Sequence, residues 1–149
     1  MNFEDIFNNY MLMSGVVAWM IAQILKVVIF AIQNHRLELL RIFGDGGMPS
    51  GHSATVSALA ASSVMSDGFG SASFAITSLF AIIVMHDAMV VRFESGRQAH
   101  VINELVEYLR TEARHLDAKR LKELLGHTPL QVVLGALLGI AVAIIMYQI

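Results

Sequence analysis

The segment Gly46-Gly47-Met48-Pro49-Ser50-Gly51-His52-Ser53 runs from a glycine turn through a proline into small hydroxyl residues and a histidine, and a long apolar stretch follows. Proline is tolerated in the first turn of a helix, where its missing N–H would have had no partner, so Pro49 marks a predicted helix start. The free N–H groups of that first turn point back at the glycine turn, and the positive end of the helix dipole reinforces them. Such a mouth suits a phosphate-sized anion, with Ser50, Gly51 and Ser53 as its contacts. His52, one turn in, can give or take a proton beside the anion. The plainer alternative is a tight loop and helix cap with no ligand.

The other groups fit for this chemistry are dispersed along the chain: Lys26, Asp87, Arg92 and His127. Only the fold can bring them together. Of the 149 residues, 56% are hydrophobic and 15% charged, whereas a soluble domain carries about a quarter charged residues. Tyr10 to Ile32, Ser71 to Val91 and Pro129 to Tyr147 are near-continuous apolar runs, each approaching the roughly 20 residues that cross a bilayer. Pro49 to Met65 is richer in Ala, Ser and Gly. That composition suits a central helix, because small residues let backbones approach and serines hydrogen-bond between helices; a re-entrant or interfacial helix is the alternative. The expected fold is therefore all-α, an integral membrane four-helix bundle in one domain, with spans near 10–32, 49–66, 71–91 and 129–148. There is no cysteine, which excludes disulfides and thiolate metal sites. The N-terminal segment lacks the basic start and cleavage site of a signal peptide, so the first span is expected to be retained. A net charge of −2 gives no nucleic-acid footprint.

Basic residues set the expected orientation. Arg36 and Arg41 lie between the first two spans, and Arg92, Arg97, Arg110, Arg114, Lys119, Arg120 and Lys122 lie between the last two. Four spans with both termini outside a cell membrane put both basic loops in the cytoplasm. Lys26, His52, the His86-Asp87-Arg92 group and His127 then all fall at the cytoplasmic ends of their helices. Ionisable groups within spans are costly and default to function; Lys26 and Asp87 fit that rule best, though pairing with each other is the simpler role. Residues 93–126 form a cytoplasmic segment. In it Val101, Ile102, Leu105, Val106 and Leu109 recur at helical spacing opposite Glu104, Glu107 and Arg110, the pattern of an amphipathic helix on a membrane surface. Leu116, Leu121, Leu124 and Leu125 predict a second, shorter one.

Pro49-Ser50-Gly51-His52 resembles the second signature of the type 2 phosphatidic acid phosphatase and vanadium haloperoxidase superfamily. With Asp87-Ala88 and Arg92, Gly96-Arg97-Gln98 and Leu125-Gly126-His127-Thr128-Pro129, the ordered set resembles its divergent branch of small membrane proteins. The resemblance implies two histidines sharing one reaction. His127 would attack phosphorus to form a phosphohistidine, and His52 would stabilise the phosphoryl group or protonate the leaving oxygen. Lys26, Arg92 and the loop N–H groups would hold the phosphate. No metal or cofactor is expected. The family's orienting Asp, four residues after the nucleophile, is Gln131 here, and its Arg six residues before is Leu121. Glutamine accepts a hydrogen bond but cannot stabilise an imidazolium by charge. Asp87 and Arg92 are the candidates to replace these partners; a structural ion pair is their plainer role. The resulting expectation is a membrane phosphatase-like protein that hydrolyses a lipid phosphate, such as an isoprenoid phosphate or pyrophosphate, at the cytoplasmic face. The alternative is a non-catalytic membrane protein that binds or translocates a phosphate-headed lipid, and blander still is a structural membrane subunit. The parent superfamily uses more helices, so a homodimer completing the bundle is expected.

Overall fold

The computed structural model describes residues 3–38, 42, 47–113 and 126–149, and these fold into helices alone among the described residues. In chain order they are α1 (Glu4–Phe7), α2 (Tyr10–Asn34), α3 (Gly51–Asp67), α4 (Ala72–Met89), α5 (Val91–Ala113) and α6 (Pro129–Gln148). Side-chain oxygens cap four of them. Asn9 accepts from the Leu12 N–H, Ser50 from Ser53, Ser71 from Phe74 and Thr128 from Gln131. Each cap satisfies one of the N–H groups that the first helical turn leaves without an intrahelical partner. The α3 helix begins two residues later than Pro49 predicts, because Ser50, in extended conformation, supplies the cap. His52 is therefore the second residue of α3. That helix stops at Gly68, whose φ of +81° is disfavoured for residues with a side chain.

Among the described residues, three helical stretches are long and apolar enough to cross a membrane: α2, the run through α4 into α5, and α6. Their burial pattern is the reverse of a water-soluble protein. The largest fully buried side chains are serines, Ser14, Ser50, Ser53, Ser62 and Ser63. Ile24, Ile76, Leu79, Ile82, Ile83, Leu137 and Ile145 point outward. Large apolar groups outside and small polar ones inside are what a lipid solvent favours. The chain is a multi-pass membrane protein.

Small residues dictate how the helices meet. The α3 helix lies against α2, α4 and α6. Gly135 and Gly139, one turn apart on α6, face the carbonyls of Ser50 and Ala54, one turn apart on α3, and a side chain at either glycine would overlap those oxygens. The two backbones are therefore in direct contact, and the two helices run parallel. Ala18 and Ala22 of α2 join Ala54, Ala58 and Val142 in the core. At one end of the assembly, the Tyr10 hydroxyl donates to the Ala143 carbonyl at 2.5 Å, tying α2 to α6. At the opposite end, the Ser50 N–H donates to the Gln131 carbonyl at 3.0 Å, and the His127 N–H donates to the Ala88 carbonyl at 3.1 Å. That second end collects the starts of α3 and α6, the end of α4 and the Lys26 region of α2.

Candidate functional site

His127 precedes Thr128, the cap of α6, and is only 4% exposed. Its partner on α6 is Gln131. The Gln131 Oε1 lies 3.1 Å from the backbone nitrogen of Thr128 and 3.1 Å from His127 Nδ1. A backbone N–H can only donate, so the side-chain atom facing it must be the amide oxygen. The same oxygen faces Nδ1, so Nδ1 carries a proton. When the ring is neutral, its lone pair is therefore on Nε2. Glutamine thus performs the orienting half of what a carboxylate does here, without the charge.

His52 brings a second imidazole to the same place. Its ring centroid lies 6.1 Å from that of His127, the planes tilted by 58°. The contact follows from the α3–α6 packing: Gly135 admits the Ser50 carbonyl, and this brings the two helix starts side by side.

The third wall is α2. Trp19 Cδ1 and Gln23 Nε2 lie 3.5 Å, and Lys26 Nζ 3.6 Å, from the point where a Gly51 side chain would begin. Lys26 is 5% exposed, and its stem passes Gly47, whose φ of +105° favours glycine. An ammonium at the start of α3 adds to the positive end of that helix dipole, and the sum favours an anion between them. A cavity of about 300 Å³ opens beside it, lined by Lys26, Phe30, Gly47, Met48, Thr128 and Gln131 among others.

The expected site residues fall into three groups. His52 and His127 meet, and so do Lys26 and Gly51. Ser50 and Ser53 are sealed from solvent. The Ser53 hydroxyl donates to the Ser50 hydroxyl at 3.0 Å, and the backbone N–H of each is engaged within the protein. Their hydroxyls build the helix start, and Gly51 is the residue of that turn beside Lys26. Asp87 is exposed on α4, next to Ala88, whose carbonyl holds His127. The backbone of Arg92 lies in α5, but its side chain, like Gly46 and Leu121, lies outside the described residues. Gln23 also stands at this end of the molecule, and the sequence marks it only as a polar residue one turn before Lys26 in an apolar run. Gln131 is marked in the sequence by its place at the family's orienting position.

Residues 7–142 match the sequence profile of the Divergent PAP2 family. A protein of Bacillus subtilis (strain 168), described as the uncharacterized membrane protein YuiD, is 39% identical over 95% of this chain and 96% of its own length. No solved structure matches the chain.

Proposed function

The chain belongs to the Divergent PAP2 family, and we propose that it hydrolyses a lipid phosphate or pyrophosphate through a histidine pair. The observation that carries this reading is the Gln131 oxygen, which holds a proton on His127 Nδ1 and so leaves Nε2 as the nucleophile. Nε2 attacks phosphorus, and a P–N bond forms as the bond to the leaving oxygen breaks. Protonated His52 gives its proton to that oxygen. Water then attacks the phosphohistidine, neutral His52 takes its proton, and phosphate departs with Nε2 restored. Lys26 and the N-terminus of α3 hold the phosphoryl oxygens, where negative charge grows in the transition state. Asp87 and Arg92 act from the end of α4 and the start of α5, Asp87 as a carboxylate and Arg92 as a second cation.

In this account α3 is a fourth span, completing a four-helix bundle. The basic segments and the site face the cytoplasm. The α5 stripe of Val101, Ile102, Leu105 and Leu109, exposed in the isolated chain, rests on the membrane surface as an amphipathic helix. Acid-sensitive, base-stable label on His127 after incubation with a radiolabelled isoprenoid pyrophosphate is the expected signature, abolished in His127→Ala. A specific observation favours the second reading, a non-catalytic lipid binder: Gln131 carries no charge to stabilise the imidazolium. Lipid phosphate binding without label or turnover would establish that reading in place of hydrolysis.

A further inference from the structure

Gln23 is 8% exposed, and its Oε1 is buried with no hydrogen-bond partner among the described residues. Rotating the amide by half a turn exchanges its ends and leaves a buried hydrogen-bonding atom unsatisfied. Such groups are rare in folded proteins and costly, more so within an apolar membrane helix. The amide that carries it lies against the start of α3. Its Nε2 lies 3.5 Å from the missing side-chain position of Gly51, and Lys26 Nζ, one turn along α2, lies 3.6 Å from the same point. An amide offers one acceptor and one donor side by side. A phosphate group that carries a proton offers a P–OH donor and a P=O acceptor in the same arrangement, and its remaining charge suits the ammonium.

We propose that Gln23 is a ligand-binding residue of this site, its buried amide pairing with a hydrogen phosphate group held between Lys26 and the first turn of α3. The proposal rests on the anion-site reading given above and adds a recognition element to it. Hydrogen phosphate can arrive free or as the head of an amphiphile. A groove of about 380 Å³ runs along α2 and α3 from Trp19, lined by Leu12, Val16, Thr55 and Leu59 among others. An alkyl chain attached to the phosphate would lie there.

The test is calorimetric titration of the purified full-length protein with inorganic phosphate and with octyl phosphate, for wild type, Gln23→Leu and Val16→Trp, alongside thermal melts without ligand. Gln23→Leu is expected to bind both phosphates at least tenfold more weakly while melting no lower than wild type, because leucine fills the position without an unsatisfied atom. A residue of merely structural importance would behave the opposite way, lowering the melt and leaving affinity intact, and that result overturns the assignment. So does wild-type affinity in Gln23→Leu, which would leave the anion site standing without Gln23. If wild type binds neither phosphate, the anion-site reading itself falls and the proposal with it. The source of the phosphate is read from Val16→Trp, which narrows the groove at an exposed position. Loss of octyl phosphate binding alone identifies an amphiphile's head as the ligand; unchanged binding of both identifies free phosphate.

Discussion

Replacing Gln131 with leucine removes one oxygen that serves two donors, and the two losses differ. His127 is 4% exposed, so its Nδ1–H, at 3.1 Å from Oε1, loses a partner that water cannot replace, at a cost of about 1–3 kcal/mol. Thr128 is exposed, so its N–H turns to water, and the broken capping box adds no more than about 1 kcal/mol. A net loss of about 2 kcal/mol corresponds to a melting point lower by about 4–8 °C for a chain of this size. Trp19, the one tryptophan, stands against Gly51 and reports the melt by intrinsic fluorescence. Gln131→Glu keeps an oxygen at the same reach and places a negative charge in the first turn of α6, so it should melt no lower than wild type. Gln131→Asp ends one methylene short of Nδ1 and should restore less than Glu. The charged acceptor also binds an imidazolium about 1 kcal/mol more strongly than an amide does, worth about fivefold in a step that forms that cation. A Gln131→Leu protein as stable as wild type, or a Gln131→Glu protein as unstable as Gln131→Leu, would refute the bridging role of this oxygen.

Three further outcomes are expected. Gly139→Ala puts a methyl group onto the Ala54 carbonyl and within 2.8 Å of the Ala58 nitrogen, so α6 must retreat from α3 at a cost of about 1–3 kcal/mol, visible in the same melt. Lys26→Met keeps the buried stem and removes the charge; vanadate affinity should fall by about tenfold or more in a calorimetric titration while the fold persists, and unchanged affinity would remove Lys26 from the site. His52→Ala and His127→Ala should each abolish turnover of a lipid phosphate, and the double variant should be no worse than either single one, since both act in one reaction.

Much of the fold is legible in the sequence because a membrane writes its demands in long apolar runs. The runs beginning at Tyr10, Ser71 and Pro129 correspond to the three helical stretches of membrane-spanning length. The convergence of His52 and His127 follows from topology, since two helices that start on one face place their first residues together. Detail is lost where contact between helices decides it. Ser50 and Ser53 read as exposed hydroxyls of a helix mouth, whereas Gly135 of α6 presses on the Ser50 carbonyl and both side chains are buried. Nothing within residues 46–53 encodes that contact. Gln131 reads as a lost aspartate because a pattern compares residue types. Its longer side chain nonetheless reaches Nδ1 and keeps the orienting hydrogen bond. The sequence gives Gln23 no direction, because the neighbour of a polar residue in a span is set by helix packing, which here puts Gly51 beside it.

A structure of the vanadate complex shows whether His127, His52, Lys26 and the start of α3 serve one phosphoryl group. Vanadium is expected to be bonded to His127 Nε2, with His52 beside the opposite or an equatorial oxygen and Lys26 and Gly51 on the remaining ones. Vanadate bound elsewhere, or seated at Gly51 with His127 Nε2 turned away from it, would mean that these groups do not serve one phosphoryl group.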